Sequence, residues 1–441
     1  MGRTLDVLVY GVADRVTALG RGLERLALRP RTLRRDYARP AEGEHWAACI
    51  LLVENASELE DGLACVQRVT GMRTPVVVVS PTALEPDERI DAWLRDPAPP
   101  VQIASRVRAL YRLYAMETVA ERRGRTAALY GERPAAPTFE DETRTILFVG
   151  EASPRFMTVQ HALRSAGADV IAAFSSYSAF DYLHERSFDA VILNAIGKPD
   201  SAFTIASAMR RNARLYHTPV LLLSDDTGHE AAEEAYARGV SDILPMAASE
   251  EEIRERVLSL AGERRRRRIA KASLESCRDP RSLEVETGLF HQGFIASHLQ
   301  DLITRAARDG GTLSLCLLSA ETPDGQDAPD QASAEKARRQ FAAMLRHLLR
   351  AEDAAARIES DGFLAVLPYT DKRGADCVAA RVAAIAECTA FESADPLRPF
   401  RLAVRSVSIE IGGEKTAEAA IERAQRLLAG PGGAQDSQVS A

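Results

Sequence analysis

The strongest constraint on this chain is a repeat within it. The run "TPVVVVS" at Thr74–Ser80 returns as "TPVLLLS" at Thr218–Ser224. "CILLV" at 49–53 is echoed by "AVILN" at 190–194, and "DVLVYG" at 6–11 by "TILFVG" at 145–150. The offsets are 144, 141 and 139, so order and spacing are both kept. Self-similarity of this kind means two copies of one folding unit. Each apolar run is short, β-branched and unbroken, as a strand buried on both faces reads. Helix-length segments such as "TVQHALRSAG" and "AFTIASAMRRN" separate the runs. Strands alternating with helices predict parallel sheets covered on both sides. Copies of about 115–120 residues suit a five-stranded doubly wound domain.

The length of 441 residues leaves room for a further domain, taking roughly 150 residues for each. Aromatic residues are 6% and the net charge is −7, which argues against a nucleic-acid partner. Cys49, Cys65, Cys277, Cys316, Cys377 and Cys388 form no C-x-x-C pair, and no His stands at metal spacing beside them. They read as free thiols in a reducing cytosol, with Cys49 and Cys316 in strand cores. No apolar run approaches the ~20 residues that span a bilayer. "MGRTLDVLVY" lacks a signal-peptide pattern. A soluble cytoplasmic protein without membrane insertion is expected.

Order, spacing and the segment "ARGVSDILP" resemble response-regulator receiver domains, a flavodoxin-like fold. The resemblance implies two acidic residues for Mg²⁺ after strand one, a phosphoacceptor Asp ending strand three, a Ser or Thr ending strand four and a Lys ending strand five. Copy two keeps Glu151 of the acidic pair and Ser224 at the switch position. Asn194 stands at the acceptor and Met246 at the Lys position. In copy one the acceptor falls at Val53 or Glu54, Ser80 fits the switch, and no Lys precedes "PVQIASRVRAL". Carboxylates hold the metal and cations neutralise the transferred group, so both copies are expected to be degenerate docking or dimerisation modules. Copy two ends in Ile253, Val257 and Leu260 at helical spacing, followed by Arg264 to Arg268. A linker helix with exposed arginines is expected there, in preference to an anionic-lipid or nucleic-acid site.

The third region runs through "ETGLFHQ", a strand "GTLSLCLLS", a helix "SAEKARRQFAAMLRHLLR", the segment "RAEDAAARIESDGF", "PFRLAVRSVSIEI" and a last helix. It resembles the GGDEF domain of diguanylate cyclases, a nucleotidyl-cyclase-like α/β fold. Thr287, Gly288 and Leu289 match that family's opening signature, and Arg350, Asp353, Arg357 and Phe363 match its R-x-x-D-x-x-x-R-x-G-G-[DE]-E-F segment. The architecture implied is α/β: degenerate receivers at 1–116 and 144–265, a linker helix and loop at 117–143, an Arg-rich linker at 266–283, a degenerate GGDEF domain at 284–430 and a disordered tail at 431–441. It is similar to response regulators of the PleD/PopA type, and closest to their non-catalytic PopA branch.

The resemblance also places what is missing. Glu359 and Ser360 replace the signature glycines, and Gly362 replaces a metal-binding carboxylate. Ser319 stands at the partner carboxylate, Gln326 or Asp327 and Glu335 at the guanine-binding positions, and Gln425 at the phosphate Lys. Cyclisation needs Mg²⁺, so no enzyme activity, cofactor or bound metal is expected. Asp361-Gly362 between two strand-like runs predicts a tight hairpin turn with positive φ.

"RAED" corresponds to the family's product-inhibition site, which implies cyclic di-GMP as ligand. Arg350 offers a fork of donors to guanine or phosphate. Asp353 can accept from the guanine N1–H and N2–H edge. Arg381, eighteen residues after Phe363, holds the family's second arginine position. The expected protein is a non-catalytic cyclic di-GMP effector and scaffold, a homodimer through its receivers. By resemblance its partners are adaptors and clients of a protease at a cell pole, with cell-cycle control as the outcome. A weak diguanylate cyclase and a ligand-independent scaffold are the alternatives.

Overall fold

The computed structural model describes residues 4–33, 46–70, 74–83, 87–131, 143–226, 228–322, 329–393 and 399–430. Gln326, Asp327 and the tail at 431–441 lie outside them. The described chain falls into two compact units, dividing at Tyr114–Ala115 and at Ile269–Ala270.

The first unit contains both copies of the repeat. Copy one comprises β1 (Leu5–Tyr10), α1 (Ala13–Arg25), β2 (Leu28–Thr32), β3 (Ala48–Leu52), α2 (Ala56–Val69), β4 (Val76–Ser80), β5 (Ala92–Arg95) and the start of α3 (Pro100–Leu129). Copy two comprises β6 (Thr145–Val149), α4 (Pro154–Arg164), β7 (Asp169–Ala173), α5 (Ser176–Glu185), β8 (Ala190–Asn194), α6 (Pro199–Arg211), β9 (Val220–Ser224), α7 (His229–Ala237), β10 (Asp242–Pro245) and most of α8 (Glu250–Ser276). The sheet orders are β2-β1-β3-β4-β5 and β10-β9-β8-β6-β7, and every neighbouring pair is parallel. The predicted five-stranded doubly wound folds are therefore present. Every residue of β3, β4 and β9 is buried, which is why these strands read as unbroken apolar runs.

The ladders also set the true register of the repeat. Leu8 lies opposite Cys49, and Leu147 opposite Val191. Cys49 is thus the counterpart of Val191, one residue away from the sequence-level match to Ala190. A Cβ on Gly11 would meet Leu52 at 2.9 Å, and one on Gly150 would meet Asn194 at 2.5 Å. The position equivalent to Asn194 is therefore Leu52, and the expectation of Val53 or Glu54 is corrected. The shift arises because a short all-apolar run fixes no register by itself.

The copies are joined through their edge strands and last helices. Arg256 donates to Asp242 at 2.6 and 3.0 Å and to Glu252 at 3.1 Å. Gln102 of α3 reaches across to Asp242 at 2.7 Å, and Glu252 of α8 accepts from Arg95 of β5 at 2.7 Å. Each last helix thus touches the other copy's edge strand, the reciprocal pattern of a two-fold contact. Arg106, Asp242, Glu252 and Arg256 are all buried. Burial alone would raise the Asp242 carboxyl, but the facing Arg256 holds it below its usual range.

The arginine run belongs to this unit and is not a free face. Arg265 and Arg268 pair with Asp189 at 3.3 and 3.7 Å, and Arg266 pairs with Asp91 at 3.2 Å. Arg267 contacts the His217 ring at 3.2 Å. The expected exposed linker helix is corrected: α8 is continuous to Ser276, and the carboxylates of both copies draw these cations inward.

The second unit is built on β11 (Leu313–Glu321), β12 (Ala354–Arg357), β13 (Gly362–Pro368) and β14 (Ala403–Glu410), in the order β12-β13-β11-β14. All pairs are antiparallel. Alternation along the strands splits the core between two faces. Leu315, Leu317, Leu364 and Val366 pack with Phe290 and Phe294 beside α9 (Gln292–Asp309). Cys316, Leu318, Phe363 and Ala365 pack with Phe341 of α10 (Gln331–Leu348) and Val382 of α11 (Lys372–Cys388). Cys49 and Cys316 are strand-core residues as expected, and burial pushes both thiols up to about 12. The last helix is α12 (Ala417–Ala429). Residues 115–129 of α3, most of them in the stretch expected to be a linker helix and loop at 117–143, belong to this unit.

Breaking a buried ion pair strands the remaining charge and costs about 3–5 kcal/mol. Arg256→Ala should therefore lower the first urea unfolding transition by that order, as followed by circular dichroism.

Candidate functional site

The hairpin between β12 and β13 brings together the positions that the cyclase resemblance assigns to chemistry. Ser319 lies directly opposite Gly362, and Leu318 opposite Phe363. A hydroxyl and a bare Cα therefore face each other where two metal carboxylates are implied. The Ser319 hydroxyl donates to Glu321 at 2.9 Å, and Glu321 is paired with Arg405. Among the described residues no group of three His, Cys, Asp or Glu could hold a metal ion. These residues do not fit Mg²⁺.

The surrounding carboxylates are engaged by cations. Arg338 pairs with Asp361 and, at 3.2 Å, with Glu335. Glu335 accepts from Arg357 at 2.7 Å. The Arg357 hydrogen bond holds the Glu335 carboxyl below its usual range. The Gln425 amide donates to Glu359 at 2.8 Å. The result is a chain of alternating charge, Asp361–Arg338–Glu335–Arg357, beside the hairpin.

The expected Asp361-Gly362 turn is not formed. Gly362 is the first residue of β13, and neither it nor Asp361 has positive φ. The Ile358 N–H donates to the Gly362 carbonyl at 2.9 Å, so the loop occupies Ile358 to Asp361. Its shape follows from side chains: Arg357 donates to the Ser360 carbonyl at 2.7 Å and to Glu359 at 3.2 Å, while Arg338 holds Asp361. Charge pairing overrides the turn preference of the dipeptide.

The "RAED" segment forms a turn between α10 and β12. The Asp353 N–H donates to the Arg350 carbonyl at 3.2 Å. In return the Arg350 N–H donates to Asp353 Oδ2 at 2.9 Å. Arg350 is exposed. Arg381 of α11 donates to the Leu348 carbonyl at 2.7 Å, which places its guanidinium at the same helix end. Asp353 departs from the expected joint face: it is 8% exposed, and its Oδ1 is buried without a hydrogen-bond partner. Its inward turn follows from the bond to the Arg350 main chain.

Arg123, on α3, is the residue sequence reasoning missed. Its guanidinium donates to the carbonyls of Ala351 at 3.0 Å, Glu352 at 2.7 Å and Asp353 at 3.0 Å. It also lies 5.5 Å from the centre of the Phe290 ring. Burial pulls the Arg123 guanidinium down to about 10. Burial also pushes His298 well below its ordinary value, Arg123 adding to the effect, and neither ring nitrogen of His298 has a partner.

The pocket above the sheet of copy two has a volume of about 240 Å³ and is lined in part by Gly150, Glu151, Ser175, Asn194 and Lys198. Lys198 pairs with Glu151 at 2.6 Å. Asn194 Oδ1 accepts the Ile196 N–H at 3.2 Å. Ser224 donates to the Asp226 carbonyl at 2.7 Å, and Met246 is 52% exposed. A lysine thus reaches the acidic position, but from the loop after β8 instead of from the end of β10.

No family model matches this chain. Two curated relatives do, both the response regulator PleD of Caulobacter vibrioides, from strains NA1000/CB15N and ATCC 19089/CB 15. Each is 25% identical over 243 residues, 54% of this chain and 52% of PleD. The chain therefore matches about half the length of the curated relatives. Over that stretch the chain is similar to a response regulator. Solved structures similar to parts of it include the FimX GGDEF domain of Pseudomonas aeruginosa (18% identity, 33% of this chain and 90% of that one, TM-score 0.31). The GGDEF domain of DgcB from Caulobacter crescentus, solved with c-di-GMP, is 14% identical over 33% of this chain and 85% of its own, with TM-score 0.30. CheY4 of Vibrio cholerae is 25% identical over 25% of this chain and 93% of its own, with TM-score 0.24. The fold rests on the strand ladders and not on these partial overlaps. Among the described residues no helix is long and apolar enough to cross a membrane.

The buried Asp353 makes a testable contribution to stability. Burial raises its carboxyl to about 7, helped by Glu352 and opposed by Arg350 and Arg123. An unfolded Asp titrates near about 3.9. Between these values the native state holds the extra proton, so stability falls as pH rises through the window and levels off above it. Asp353→Asn should remove roughly 2–3 kcal/mol of the stability lost between about pH 5 and about pH 8, read from urea titrations of both proteins.

Proposed function

We propose that this chain is a non-catalytic effector that binds cyclic di-GMP and couples its level to partner recruitment. The observation carrying the non-catalytic part is the Ser319–Gly362 pair, with Glu335 and Asp361 already bound to Arg338 and Arg357. Mg²⁺ could neither gather a triphosphate nor activate a hydroxyl there. The binding part is supported by Arg350 and Arg381 at one end of α10, where two forked cations suit a guanine edge or a phosphate. The chain then acts as a scaffold whose partner-competent form is favoured in proportion to the ligand's preference for it. As in its resemblance to PopA, the partners are adaptors and clients of a protease, at a cell pole, with cell-cycle control as the outcome. A homodimer formed through the receivers would use a face other than the edge strands that Gln102, Asp242, Arg95 and Glu252 already occupy.

The inward Asp353 favours a second reading, a scaffold that takes no ligand. Calorimetry separates the two. Cyclic di-GMP should bind the wild type, and Arg350→Ala should weaken binding by about tenfold or more, equal to about 1.4 kcal/mol. Equal binding by both proteins would remove the site, and binding by neither would leave the ligand-free scaffold. Incubation with GTP and Mg²⁺ should give no sustained product, and any turnover would revive the cyclase.

A further inference from the structure

The grip of α3 on the "RAED" turn has no counterpart in the function just described. Arg123 is 2% exposed and spends three donors on three successive carbonyls, those of Ala351, Glu352 and Asp353. Met116, Val119 and Ala120 of α3 form an apolar cluster with Ala270 and Leu274 of α8, and Ala351 and Tyr369 pack against it. The turn is therefore the seat of these helices as well as the place where a nucleotide would bind.

The seating is incomplete in one respect. A buried guanidinium beside a buried carboxylate ordinarily forms a two-pronged pair. Here Arg123 hydrogen-bonds main-chain carbonyls, and Asp353 Oδ1 and Arg123 Nε are left without partners. A buried acceptor without a donor is destabilising. Turning Asp353 outward onto two guanine N–H donors would satisfy both of its oxygens. That rotation would release the Arg350 N–H from Oδ2, the bond that closes the turn whose carbonyls Arg123 holds.

Resting on the cyclic di-GMP reading above, we propose that α3 is a latch on the ligand site. Arg123 holds the turn with Asp353 inward, and the nucleotide binds only the turn from which Arg123 has withdrawn. The apparent affinity of such a site is its intrinsic affinity reduced by the fraction of molecules already open.

The test is calorimetry with cyclic di-GMP on full-length wild type and Arg123→Gln, which keeps a neutral amide NH2 and loses the charged fork. Arg123→Gln should bind about tenfold more tightly or better. Equal or weaker binding by a folded variant overturns the latch and leaves the binding site standing. Binding by neither protein overturns the latch and the ligand reading together. Should the variant not fold, amide exchange on the wild type decides. Ligand should increase exchange at residues 119–127, and unchanged or slower exchange in the bound protein overturns the latch.

Discussion

A guanidinium removed from water must keep its charge and find acceptors. Buried arginines accordingly set much of this structure. Arg256 neutralises Asp242 and Glu252 where the two receiver-like copies meet. Arg106, its counterpart in copy one, is equally buried and pairs with Glu263. Arg338 takes Asp361 and Glu335 in the second unit, and Arg123 takes three carbonyls. Each arginine fixes a junction or loop that apolar packing alone would leave free to slide, because its donors have direction and hydrophobic contact does not.

The same chemistry orders the hairpin of the second unit. Asp361 and Glu335 take their cations from the protein itself, from Arg338 and Arg357. The network holds Asp361 and orders the loop after Arg357. Copy two of the repeat follows the same logic, with the Lys198 ammonium against Glu151 where a divalent ion is implied.

The sheets were legible in the sequence because buried parallel strands leave unbroken apolar runs, and the repeat supplied two examples. Register was less legible. All five residues of β3 are buried, so nothing in "CILLV" marks which one faces the pocket, and Leu52 emerged only from the ladder. The hairpin turn failed because "SDGF" carries the local signal, while Arg338 and Arg357 act from outside it. Arg350, Asp353 and Arg381 came from the family resemblance, which does not give the direction of the Asp353 carboxylate, since that depends on a main-chain N–H. Arg123 had no local signal at all: its acceptors lie 228 to 230 residues further along.

The length of α3 bears on how the third domain can be isolated. A fragment starting at 284, where the family resemblance begins, would lack Arg123, Met116 and Val119. The carbonyls of 351 to 353 and one face of Phe290 would then meet solvent, and nucleotide titrations on that fragment would describe a different object from the intact chain. A faithful excision would carry residues 115–131 along with it.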